Sequence, residues 1–343
     1  MKRIPTLATV ILASLLLMAA AQDTAAQDSQ DYSWQPDRPI TIIVPWAAGG
    51  STDQMTRILA ADLEAALGQS VVVVNQPGAS GSIGTTNALG AARDGYTWAA
   101  GAAGDLGTYA VLDMLDTSLE DWHIFLTVAN VEVVGVNANT PYQDFGGLLE
   151  AMRERPDQIS VATAGLSSAG HNAMEAISQA TGVEYRHVTY DGGNPAVIAT
   201  VSGETEVTTQ LAVEQAEMIR GGRIRPLAVV STEPLEIEGY DGQIPPITDW
   251  IPDLEIATNY FGIWVPRGVP DEVVETVERI WEERISQSEA LRDYALERGA
   301  LFTPYYGEEA QERGMTRVRS QAWTLFDSGQ APISPDTVGI ERP

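Results

Sequence analysis

Residues 39–53 (PITIIVPWAAGGSTD) constrain the fold more than any other stretch of this 343-residue chain. Ile40, Thr41, Ile42, Ile43 and Val44 form a β-branched apolar run that predicts a buried strand. Pro45 has no N–H to give to a ladder and ends it. Gly49 and Gly50 permit a tight turn, Ser51 or Thr52 can cap a helix, and Asp53 falls in its first turn, where a carboxylate complements the helix dipole. The helix carries Met55, Ile58, Leu59, Leu63, Ala66 and Leu67 on one face and stops at Gly68. Strand, small-residue loop and helix N-terminus leave free N–H groups at one sheet edge, which suits an anion. The same order is also that of an ordinary first βα unit.

The device recurs. Residues 70–75 (SVVVVN) read as a second buried strand, running into Gly78, Ala79, Ser80, Gly81 and Gly84 and a small-residue helix over 85–92. After the Asp94-Gly95 turn, residues 96–100 form a third strand. The order βαβαβ predicts a parallel, doubly wound sheet, with the loops after its strands gathered at the edge where such sheets bind ligands. Residues 101–121 read as loop with a short helix. Strands follow at 124–128 and 131–136, then a helix with Phe145, Leu148, Leu149 and Met152 that Pro156 ends. Residues 159–162 form a strand entering the loop TAGLSSAGH (163–171) and a helix with Met174, Ile177 and Ala180. Further strands are expected at 185–189, 207–211 and 224–230; between them lie a helix that starts at Pro195, carries Val197, Ile198 and Val201 and is closed by Gly203, and another at 213–220.

Residues 234–252 are rich in Pro, Gly and Asp and read as a connector, after which 259–266 (NYFGIWVP) returns to strand. Helices over about 270–285, 289–298 and 308–326 complete the chain, with a loose tail at 331–343. Two α/β units joined by an outgoing strand at 131–136 and a returning one at 260–265 imply two lobes and a hinge. The expected division is 36–130 with 258–330 as the first lobe, and 131–257 as the second.

Composition narrows the setting. With 44% hydrophobic residues the chain can fill two ordinary domains. Residues 1–26 combine a basic start, Lys2-Arg3, with an apolar stretch ending in small residues, which reads as a secretory signal cleaved after Ala21 or Ala26. There is no cysteine, which excludes disulfides, thiolate metal sites and a lipid anchor at the cleavage site. The net charge is −27, and removal of residues 1–26 (Lys2 and Arg3 against Asp23) leaves −28. Such a charge argues against nucleic acid or anionic membrane surfaces as partners. It suits a saline habitat, where screening shortens the reach of its repulsion.

Catalytic sets are sparse. The three histidines, His123, His171 and His187, lack metal-binding spacing, no phosphate-binding P-loop is present, and the glycines of 78–84 are not spaced as a dinucleotide fingerprint. No cofactor is expected. Residues 165–169 (GLSSA) resemble a nucleophile elbow but end in Ala, so a hydrolase using Ser167 or Ser168 is the alternative from a different class. The Gly/Ser loops at 47–53, 78–82 and 164–170 are more informative together, because backbone N–H groups and hydroxyls can hold an anion without Arg. Trp46 either lines a cleft or covers a core edge, and Tyr190 is either a cleft contact or strand-end packing.

At these loops the chain resembles the extracytoplasmic substrate-binding receptors of tripartite tricarboxylate transporters, the Bug family. PDRPITIIVPWAAGGSTD from Pro36, NQPGASG from Asn75, DGYT from Asp94 and, more loosely, GLSSAGH from Gly165 match that family's motifs in order. HVTYDG from His187 matches a fifth, with Thr189 in place of Pro; Trp46 likewise replaces Phe or Tyr. The resemblance covers nearly all of the chain beyond its leader. It implies a two-lobed α/β binding protein of periplasmic type II (Venus flytrap) architecture, non-enzymatic, periplasmic and monomeric. The implied partners are a small carboxylate held in the cleft (a di- or tricarboxylate, an acidic amino acid or an aromatic acid) and a two-subunit membrane permease. A chemosensory ligand-binding subunit shares the fold and is a further alternative. Carried over by position, first-lobe contacts fall on Trp46, Ala48, Gly49, Gly50, Ser51, Thr52 and Asp53, with Ala79, Ser80 and Gly81. Second-lobe contacts fall on Ala164, Gly165, Ser167 and Ser168, with Tyr190 and Gly192. Asp191, if it faces the cleft, opposes a second carboxylate and favours an amino acid or a monocarboxylate; the other reading is a solvent-facing turn residue.

Overall fold

β1 (Ile40–Val44) is the strand expected from its β-branched run, and it pairs in parallel on both sides. Its neighbours are β2 (Val71–Asn75) and β3 (Thr97–Ala102). These observations come from a computed structural model in which residues 32–343 are described; the leader expected over residues 1–26 lies outside them. α1 (Ser51–Leu67) and α2 (Ser82–Leu89) make the two crossovers. α1 is amphipathic, with Met55, Leu59 and Leu63 fully buried, and its C-cap Gly68 takes the left-handed conformation.

The segment 101–121, read from sequence as loop with a short helix, holds that helix at its start, where β3 continues directly into α3 (Ala103–Val111). α3 is buried on nearly every face. β4 (Trp122–Asn130) then crosses to the second lobe, where β5 (Val133–Asn137) begins. The second lobe adds α4 (Phe145–Glu154), β6 (Ser160–Thr163), α5 (Ala169–Thr181) and β7 (Arg186–Thr189). It continues with α6 (Gly193–Ser202), β8 (Val207–Thr208), α7 (Ala212–Arg220) and β9 (Ile224–Val229). The chain returns through β10 (Asn259–Pro266), buried along its whole length. It ends with α8 (Asp271–Glu283), α9 (Glu289–Arg298), β11 (Leu301–Phe302) and α10 (Gly307–Asp327).

Two sheets result. One has the order β11-β4-β10-β3-β1-β2 and the other β7-β6-β8-β5-β9. Each carries its own apolar core, the first around Trp122, Trp264 and Leu106, the second around Phe145, Met152 and Ile177. The fold is therefore two-lobed α/β, with β10 antiparallel to both β3 and β4 at the centre of the first sheet. Both crossings between lobes meet at one buried ion pair. Arg317 Nη2 lies 2.6 Å from Glu132 Oε1, beside the outgoing strand. Arg317 Nη1 donates to the Ala257 carbonyl (2.8 Å) and Asn259 Nδ2 to Glu132 (3.3 Å), on the returning one.

The tail expected to be loose is packed. Ala331 and Ile340 are buried, Trp323 Nε1 donates to the Ile340 carbonyl, and Arg342 pairs with Asp327 while its guanidinium lies over the Trp323 ring. The tail holds because α10 offers it an aromatic ledge, a partner that Gly- and Pro-containing tail sequence does not announce. Among the described residues, no helix is long and apolar enough to cross a membrane.

Candidate functional site

Five helices end at one cavity. Its walls include Gly50, Ser51 and Thr52 at the start of α1, and Ala102 and Asp105 at the start of α3. Ser168 and Ala169 open α5, Gly193 opens α6, and Gln210, Leu211 and Glu214 surround the start of α7. Trp46, Ala164 and Phe261 complete the lining. The helix dipoles make each of these ends favourable to negative charge, while the Ser51, His171 and Ala212 N–H groups already bond Glu214 Oε1, Ser168 Oγ and the Val131 carbonyl. No lysine or arginine lines the cavity.

The lobes are clasped around it by direct bonds. Ala47 N–H donates to the Asp191 carbonyl (2.9 Å), and Ser51 N–H to Glu214 Oε1 (3.0 Å). On the other side Leu166 N–H donates to Ser80 Oγ (3.0 Å), while Ser167 Oγ donates to the Ser80 carbonyl (2.7 Å). The approach requires glycine at two points. Gly165 has φ 118°, and a Cβ there would come within 2.5 Å of Ser80 Oγ. A Cβ on Gly193 would fall 2.0 Å from Glu214.

Of the residues singled out from sequence, Trp46, Gly50, Ser51, Thr52, Ala164 and Ser168 reach the cavity wall. Ala79, Ser80, Gly81, Gly165 and Ser167 are not in it; Ser80, Gly165 and Ser167 form the clasp beside it. Ala48 is exposed, and Gly192 packs against Ala47. Tyr190 sits at the end of β7, away from the lining, its phenol pushed up to about 12 by burial and by Glu204. Asp191 is exposed and contributes its carbonyl, not its carboxylate, to closure.

Asp53 and Gly49 also lie outside the lining, because Asp53 is spent on its own loop. Asp53 Oδ2 accepts from Gly49 N–H (2.9 Å), and Oδ1 from Asn75 Nδ2 (2.9 Å), with Arg57 at 2.8 Å. Burial alone would raise its carboxyl, but the bonds from Arg57, Gly49 and Asn75 outweigh that and hold it below its usual value.

Sequence reading passed over three polar wall residues. Asp105 is 4% exposed, and burial pushes its carboxyl up to about 7 against the pull of the Ala102 N–H, the Trp46 indole and the charge of Arg317. Glu214 keeps some exposure, yet its surroundings are dense enough to raise its carboxyl, with the Ser51 and Leu211 N–H groups opposing. The Gln210 amide, with nitrogen toward Glu214 and oxygen toward Ala164, reaches Glu214 Oε2 at 3.0 Å and accepts from Ala164 N–H at 2.9 Å. A signal for Asp105 existed. GAAGD (101–105) repeats at a strand end the small-residue and acid pattern of GGSTD (49–53).

The hydrolase alternative finds no support in this geometry. Ser167 Oγ bonds a carbonyl and Ser168 Oγ accepts the His171 N–H as a helix cap. The imidazoles of His171 and His187 bond Gln330 and Thr163 instead (2.6 Å each).

Residues 55–321 match the family model described as the tripartite tricarboxylate transporter family receptor. The chain belongs to this receptor family. Protein BugT of Bordetella pertussis is 30% identical to the receptor over 319 residues, covering 92% of this chain and 95% of BugT. Among solved structures, the periplasmic binding protein BugD is 25% identical with a TM-score of 0.79, covering 86% of the receptor and 99% of that chain. The R. palustris protein Rpa4515, solved with adipate, is 25% identical with a TM-score of 0.77, covering 87% and 99%. The receptor's two-lobed fold is that of these periplasmic binding proteins.

Proposed function

We propose that this receptor works in the periplasm, closing its two lobes on a small carboxylate and delivering it to a two-subunit membrane permease. The lobes in this reading are residues 36–130 with 258–330, and residues 131–257. One observation carries the cargo class: five helix N-termini converge on one cavity whose walls carry no Lys or Arg. A carboxylate there is held by backbone N–H groups and by the hydroxyls of Ser51, Thr52 and Ser168, so selection rests on geometry. The adipate bound by the similar R. palustris protein supports a carboxylate cargo. Family membership supports the permease partner.

Thermal denaturation with mono-, di- and tricarboxylates tests the cargo. Ligand that binds only the folded form raises the melting temperature by mass action, by about 2.7 kcal/mol of stability at a hundredfold excess over Kd. A concentration-dependent rise with at least one acid is expected. No rise across the panel overturns the carboxylate reading.

A further inference from the structure

The cavity holds two carboxyls in unlike situations. Glu214 is engaged, by the Ser51 N–H and by the Gln210 amide. Asp105 is engaged only in part: the Ala102 N–H and the Trp46 indole act on its carboxyl, but it is buried on the cavity wall and its Oδ1 has no hydrogen-bond partner. The cation that acts on it, Arg317, gives Nη1 to the Ala257 carbonyl and Nη2 to Glu132, so it reaches Asp105 through charge alone. A buried carboxylate oxygen without a donor is costly and calls for one from outside the protein.

We propose that Asp105 sets the specificity of this receptor by receiving the ammonium group of a small amino carboxylate. The carboxylate of that ligand lies against the surrounding helix starts. This assignment rests on the carboxylate reading of the cavity and narrows it. The ammonium supplies the donor that Oδ1 lacks. A second carboxylate at the same end would meet the like charge of Asp105 instead. Trp46 and Phe261, on the same walls, offer aromatic surface that favours a cation. Burial that raises the Asp105 carboxyl to about 7 is offset by an ammonium, which favours the ionised form. A site built to bond a donor rejects an analogue lacking it strongly, because its own buried group is then left unpaired.

Calorimetric titration with matched pairs tests this: aspartate against succinate, glutamate against glutarate, and alanine against propionate, each with the wild type and Asp105→Asn. In at least one pair the amino member binds the wild type about tenfold tighter or more, and Asp105→Asn narrows that gap to about threefold or less. Equal or tighter binding of the deaminated acid in every pair overturns the inference, as does a gap that survives in Asp105→Asn. The wild-type comparison stands even if the variant does not fold. If only deaminated acids bind, the carboxylate reading holds and this inference alone falls. If neither member of any pair binds, both fall.

Discussion

His171 and His187 stack with ring centroids 4.2 Å apart and planes 17° from parallel, yet neither lines the cavity. His171 Nε2 faces Gln330 beyond the end of α10, its Nδ1 lies 3.4 Å from the Tyr185 hydroxyl, and that hydroxyl also bonds Glu175. Burial lowers both rings to about 4, with Gln330 opposing for His171; for His187 the neighbouring ring lowers it further and Glu175 opposes. A folded-state value below the unfolded 6.5 means the unfolded chain binds these protons first. The two rings therefore contribute stability that is present above about pH 6.5 and is lost as pH falls through about 4. Urea midpoints at pH 7, 5.5 and 4.5 should fall in that order. His187→Phe should flatten the fall by up to about 1.4 kcal/mol per pH unit. An unchanged slope in that variant would contradict the assignment.

At the scale of elements, the start of α1 meets a residue from the other lobe. Glu214 occupies the Ser51 N–H, the donor that residues 49–53 had seemed to reserve for cargo. Glu214→Ala should shift ligand-free protein toward an open form, at a cost to closure of about 1–2 kcal/mol, visible as a larger radius of gyration in solution scattering. No change in radius would sink the latch. The same helix start shows what the sequence could and could not say. Local chemistry identified the strand, the turn and the helix, because those depend on neighbours within a few positions, but neither Ser51 nor Thr52 caps it: the N-cap is Gly50, with no side-chain bond. It could not assign partners. Asp53 looked like a cleft residue by its motif, but Asn75 and Arg57 claim its oxygens. Glu214 lies 163 positions from Ser51, and no local pattern links them. Asp105 escaped notice because α3 is small-residued and buried.

For the whole molecule, the charge of −27 is spread over a surface with few cations, while both lobe crossings depend on the buried Arg317–Glu132 pair. Surface self-repulsion is screened by salt, whereas a buried pair is screened far less. The melting temperature should therefore rise between about 10 mM and 1 M sodium chloride, where the screening length shrinks from about 30 to 3 Å. A flat or falling response would mean the surface acids do not strain the fold.

The clasp has a consequence for timing. Ala47 to Asp191, Ser51 to Glu214 and Ser80 to Leu166 are bonds of protein to protein, and none of them passes through cargo. These bonds contribute to the shut form whatever the cleft holds. A partner that recognised the shut outline alone would waste encounters on empty carriers. If cargo adds bonds to this set, it would lengthen each shut interval, and a membrane partner of the kind proposed above that engages slowly would sort full from empty by how long the clasp holds.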